Sequence, residues 1–160
     1  MQTKQSGFTL TELVVTITIV GILAAVAVPR LVSLGADARA GVIKSTAGVM
    51  KQANDAINAK ASIANIAGLS SGASGAWVEY PKTGSGVSVG IHYGYAKDAT
   101  ELARALSLTE DLAVGTDSAY ADGAIQHTKA QDKTKCEVGY TKATNTTTAP
   151  TYTVIVSDCS

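Results

Sequence analysis

The sequence has few of the residues that carry chemistry. Its 160 residues include two histidines and two cysteines, and 13 Lys plus Arg are balanced by 13 Asp plus Glu. His92 and His127 stand alone, with no second His or Cys at ligand spacing, so each is expected on a strand surface and no metal site is expected. No nucleophile elbow, pair of catalytic carboxylates or ordered Ser, His, Asp set can be assembled, which argues against an enzyme. A formal charge of zero provides no global field to draw in nucleic acid. No cofactor and no specific nucleic-acid partner are therefore expected. Asp111, Asp117 and Asp122-Gly123 lack the alternating ligands of a calcium-binding hand. The glycine-rich GSGVSVG at 84–90 follows no strand and opens no helix, as a phosphate loop would. Lys129, Lys133, Lys135 and Lys142 are expected to cluster around one hairpin as a solvated face; the other reading is an exposed basic ridge, presented many times over, that grips DNA or an anionic surface. Asn145-Thr146-Thr147 fits a glycan acceptor and a Thr-rich turn equally well.

What the sequence does have is one long apolar run, LVVTITIVGILAAVAV at 13–28, followed by Pro29-Arg30. A helix over 8–28 would be roughly 31 Å long, against a bilayer core of about 30 Å. It holds one ionisable residue, Glu12, near its start. A charge at the centre of a spanning helix costs about 2.5 to 3.5 kcal/mol, so an intramembrane carboxylate calls for a named partner. The order of segments is the reverse of a cleaved secretory signal, in which the apolar region is lost with the leader. Here the polar residues 1–6, with the single charge Lys4, and the small Gly7 come first. Cleavage after Gly7 keeps the helix and creates a new terminus at Phe8. Glu12 lies four residues on, one turn away on the same face of a helix starting there. The terminal ammonium and the positive end of the helix dipole both favour a carboxylate at that position. The Phe8 ammonium of a second subunit would find in Glu12 a partner at low dielectric, where an unpaired charge is costly. The alternative role for Glu12 is to snorkel to the membrane interface.

Residues 7–29, GFTLTELVVTITIVGILAAVAVP, resemble the amino-terminal signature of type IV prepilins of the IVa-like kind. Gly7 stands before the scissile bond and Phe8 after it, and Glu12, the mid-helix Gly21 and the terminal Pro29 fall at the family's spacing. The resemblance implies a leader over 1–7 removed by prepilin peptidase, methylation of the Phe8 amino group, and a transmembrane and polymerisation helix over 8–29. Assembly would run through Phe8, Glu12, Gly21 and Pro29 into a helical homopolymer of identical subunits. In the family the segment between this glycine and this proline can lose helical order inside the fibre. The precursor would sit in the lipid bilayer of the inner membrane of a Gram-negative-type bacterium, attended by the pilus assembly machinery, and then join an extracellular pilus. The implied function is structural, as the major pilin serving surface attachment or a related task. The alternatives are a pseudopilin of a type II secretion system and a minor tip pilin acting as an adhesin. Tyr93-Gly94-Tyr95 and the cysteine-closed hairpin look most like mannose-sensitive haemagglutinin-type pilins.

Loss of seven residues leaves 153, room for a spanning helix and one modest domain. In a body exported from the cytoplasm, Cys136 and Cys159 read as one disulfide closing a loop of roughly 23 residues, worth about 3 kcal/mol in the chain-entropy account. Pro29 is expected to kink or weaken the helix. Beyond it Leu31, Leu34, Ala38, Val42, Thr46, Val49, Ala53 and Ile57 recur at steps of three and four, so 30–67 is expected to be an amphipathic second half. Residues 68–160 are expected to form a globular head. Its loop over 68–90 covers Trp77, and a strand at 87–95 follows. A short helix at 100–108, capped by Asp98 or Thr100, turns Leu102, Ala105 and Leu106 inward. After a loop at 109–123 come strands at 125–130, 136–142 and 152–158. The expected fold is α+β, a long helix on an antiparallel sheet of about four strands. A hairpin centred on Thr147 and Thr148 would set Cys136 opposite Cys159, Gly139 opposite Val156 and Tyr140 opposite Ile155.

Overall fold

The computed structural model describes residues 7–82, 85–106 and 108–160. Of the expected leader only Gly7 lies among them, and Gly84 of the glycine-rich stretch lies outside them. The chain divides between Gly35 and Ala36 into two compact units.

Helix α1 spans Leu10–Ile63 and carries Pro29 within it. Each end has a chemical cause. The Thr9 N–H and hydroxyl donate to Glu12 Oε2 at 2.9 and 2.8 Å, and the Glu12 N–H donates back to Thr9 Oγ1 at 3.3 Å. This is a capping box, which satisfies backbone donors that no helical carbonyl reaches. Phe8 therefore precedes the helix instead of lying in its first turn. At the other end the Ile66 N–H donates to Ala61 O at 2.9 Å and the Asn65 N–H to Ser62 O at 3.1 Å, with Asn65 at φ 57°. That is a Schellman stop, and it ends the helix before 67.

In the first unit the apolar side chains of α1 stand exposed, from Leu10 and Leu13 through Ile22 and Leu23 to Leu31 and Leu34. Its hydroxyls are satisfied within the helix: Thr16 donates to Glu12 O and Thr18 to Val14 O, both at 2.6 Å. Threonines on an apolar helix so bonded demand nothing from water.

In the second unit α1 buries Ile43, Thr46, Met50, Ala53, Asn54, Ile57 and Ala61. Of the expected stripe, Thr46, Ala53 and Ile57 are inside, whereas Val42 and Val49 are exposed and Ile43 and Met50 take their places. Two interleaved apolar sets share the same three-and-four spacing, so periodicity alone cannot choose between them; the head does. Val42 and Val49 instead line, with Leu106 and Leu112, an open apolar groove of about 220 Å³. The second half of α1 contributes much of the core, and the compact unit that contains the head runs from Ala36.

The head holds two antiparallel sheets. One runs β1 (Trp77–Lys82), β2 (Ser85–His92), β3 (Tyr95–Ala96). The other runs β4 (Leu112–Gly115), β5 (Ala124–His127), β6 (Cys136–Thr141), β7 (Thr151–Val156) in that order. The expected loops at 68–90 and 109–123 thus conceal strands β1 and β4. Both are short and set among Gly, Ser and acidic residues, and each is fixed by pairing with its partner. Trp77 does not pack beneath a loop: it is 51% exposed, with Lys97 Nζ 5.5 Å from its ring centre. Tyr93 (φ 49°) and Gly94 (φ 85°) make the two-residue turn between β2 and β3, a conformation the right-handed sheet twist favours. Helix α2 (Ala99–Ala105) is capped by Asp98, whose Oδ1 accepts the Glu101 N–H at 2.8 Å, and it turns Leu102 and Ala105 inward.

Candidate functional site

Two places concentrate the residues singled out by the sequence. The first is the start of α1. Phe8 is 88% exposed, and Glu12 uses one carboxylate oxygen, Oε2, on Thr9. Oε1 accepts no hydrogen bond among the described residues. Gly21 lies in mid-helix, where an added Cβ would meet nothing within 4 Å in this chain. The helix loses about 1 kcal/mol to a glycine there, and no close contact among the described residues of its own unit requires it. Pro29 interrupts neither the helix nor its continuation.

The second place is the carboxyl-terminal hairpin. Cys136 and Cys159 form a disulfide with Cα atoms 5.0 Å apart. The register differs from expectation by three residues: Cys136 pairs with Val156, Gly139 with Thr153 and Tyr140 with Tyr152. Cys159 reaches Cys136 from beyond the strand end. An odd shift moves every side chain of one strand to the opposite face. The observed register brings Tyr140 and Tyr152 to one face, where both hydroxyls accept from Asn54 Nδ2 at 3.0 and 2.8 Å. Asn54 Oδ1 accepts the Ala96 N–H at 2.8 Å, and the Tyr140 hydroxyl donates to Ala96 O at 2.7 Å. One buried amide thereby ties α1 to β3, β6 and β7. Burial holds the Tyr140 phenol well above its ordinary pKa and pushes that of Tyr152 up to about 12. The terminal tail is tied down too, as Arg39 Nη1 donates to Cys159 O at 2.8 Å. Neither Asn54 nor Arg39 stood out in the sequence. Their partners lie 42 to 120 residues away, and an Asn within a helical run carries no signal of its own.

The remaining candidates separate. His127 is 3% exposed, not on the strand surface, because β5 is a central strand covered on both faces. His92 Nδ1 accepts the Ser71 N–H at 2.7 Å and His127 Nδ1 the Lys129 N–H at 3.3 Å, which holds both rings neutral. Burial draws both pKa values below the ordinary value, helped at His92 by Lys142. The lysines do not form one ridge: Lys129 pairs with Asp111 at 2.6 Å, Lys135 with Asp132 at 3.1 Å and Lys142 with Asp122 at 2.7 Å. Asp111 and Asp122 are thereby engaged apart from each other. Among the described residues no group of three His, Cys, Asp or Glu is placed to hold a metal ion. Asn145 Oδ1 accepts from the Thr147 N–H and hydroxyl and the Thr148 N–H, which builds the turn.

The chain is of the class in which an exposed apolar amino-terminal helix leads into a disulfide-bonded α+β head. The comparison with known families is specific: residues 2–28 match the prokaryotic N-terminal methylation motif. That motif is the amino-terminal signature of type IV prepilins, and this chain carries it. No curated protein and no solved structure matches it.

Proposed function

We propose that this chain is the major subunit of a type IV pilus, cleaved after Gly7, methylated at Phe8 and polymerised through α1. The observation that carries the reading is the methylation motif on a helix whose apolar face has no partner within its own unit. Such a surface is stable in lipid or against copies of itself. Glu12 supports the same reading. Its Oε2 closes the cap and its Oε1 remains for the Phe8 ammonium of a neighbour, which would set the register of assembly. A glycine at 21 that no close contact in its own unit requires fits close approach of a second helix.

Mass spectrometry of fibres sheared from the native cell surface tests this. The expected result is this chain as the dominant component, beginning at N-methylated Phe8 and two hydrogens light for the disulfide. Recovery only from the membrane fraction would overturn the pilus reading in favour of a pseudopilin. Recovery as a trace component of fibres made of another chain would mark a minor tip subunit.

A further inference from the structure

The sheets of the head treat their edges unequally. Strand β1 is guarded: its sequence holds Glu79, Pro81 and Lys82, and Lys60 Nζ donates to Glu79 O at 3.0 Å. Charge, proline and a covering side chain are the usual means of keeping an edge from pairing. Strand β7 has none of them. Its sequence TYTVIV is uncharged and rich in β-branched and aromatic residues, and Thr151, Thr153 and Val154 are exposed. Among the described residues, none in β7 makes a backbone hydrogen bond outside its ladder with β6. At the opposite edge of the same sheet, β4 reads LAVG and is equally uncharged.

We propose that these two edges are made for each other, β7 of one copy pairing antiparallel with β4 of the next. The inference rests on the reading of the chain as a fibre subunit. Direction supports it. The sheet runs β4-β5-β6-β7 with every neighbour antiparallel, so an even number of strands leaves its two edges pointing in opposite senses. A second copy displaced along the hydrogen-bonding direction in the same orientation presents β4 antiparallel to β7. Such a contact uses different surfaces on the two partners, so it propagates and does not close on itself.

Charge supports it as well. Strand β4 is preceded by Glu110 and Asp111 and followed by Asp117. The 3-10 turn Lys133–Lys135 packs beside β7, and Lys142 follows Thr141, the partner of Thr151. Antiparallel pairing sets the partner's Glu110 toward Lys133 and its Asp117 toward Lys142. Among the described residues neither Lys133 nor Glu110 has an ion pair in its own chain, while the nearby Asp132 is held by Lys135 and Asp158 by Ser160.

Cysteine cross-linking in fibres of the full chain tests the proposal. By register, Thr151, Thr153 and Ala113 point to the sheet face opposite Tyr152 and Asn54, and all three are exposed. Ala113→Cys combined with Thr151→Cys or with Thr153→Cys is expected to give, on oxidation, a ladder of covalent dimers, trimers and longer species. Each single variant is expected to stay monomeric on the same non-reducing gel. Normal fibres without a ladder from either pair would overturn the proposal, and so would dimers from Thr153→Cys alone, which would mean β7 meeting β7. Absence of fibres from the unsubstituted chain would overturn the fibre reading itself, and this contact with it.

Discussion

Residues 10–28 and 43–63 belong to one helix, yet they keep their apolar side chains from water by opposite means. In the second stretch a narrow stripe of Ile43, Met50 and Ile57 is buried within the chain, and of its large apolar residues only Val49 and Ile63 stand exposed among the described residues. In the first, Leu13, Val14, Val15, Ile19 and Val20 are all exposed, around the whole circumference of the helix. Intrachain packing explains the one and cannot explain the other. A stretch whose hydrogen bonds close within itself, down to its threonine hydroxyls, is suited to lipid or to neighbouring helices. The comparison teaches that the two units differ in what covers them: the second buries its apolar residues in its own contacts, and the first leaves them exposed.

The separation can be broken from either side. The largest effect is expected from Glu12→Val, which should abolish surface fibres while leaving the chain in the membrane fraction and the head's disulfide intact. Electron microscopy together with a fractionated immunoblot checks it, and fibres in normal number would sink the assembly role. Asn54→Leu strikes the head instead. It leaves the Ala96 N–H without its acceptor and takes the amide donor from both phenols, of which Tyr140 keeps its bond to Ala96 O, and a loss of about 3 kcal/mol is expected in urea unfolding of the detergent-solubilised protein. Reduction of Cys136–Cys159 should cost a similar amount, about 3 kcal/mol, and free the tail from Arg39. Tyr152→Phe removes one hydroxyl from the same amide and should cost about 1 kcal/mol.

The smallest effect expected is in pH dependence. Both histidines have pKa values lowered in the folded state, so the unfolded chain binds more protons in the window below about 6.5. Their contribution to stability is complete above that pH and declines as pH falls through the lowered folded values. Breaking the His92–Ser71 bond is part of that loss, because protonated Nδ1 has no lone pair to offer. Protection of the Ser71 amide, measured against the free-peptide exchange rate at each pH, is expected to fall on acidification in the wild type and to be low at all pH values in His92→Phe. A flat profile in the wild type would remove the coupling.

The residues that announce the protein's class are local, and so they are legible in the sequence. Gly7, Phe8 and Glu12 stand within six positions of one another, and even the Thr9–Glu12 capping box is a spacing of three. The two cysteines could be paired by count alone. What the sequence determined, then, was whatever depends on neighbours in the chain: the apolar run, the helix that bears it, a capped start of α2 at Asp98 or Thr100 and the existence of strands β5, β6 and β7. Only the tertiary structure decided which of two equivalent stripes on α1 faces inward, because both obey the helical repeat and the choice belongs to the sheet beneath. It also decided the register of the last hairpin, through an amide at Asn54 that meets Tyr140 and Tyr152 from 86 and 98 residues away. Hydrogen-bond partners at such separations leave no mark on periodicity or spacing, since they are selected by the geometry of elements already packed.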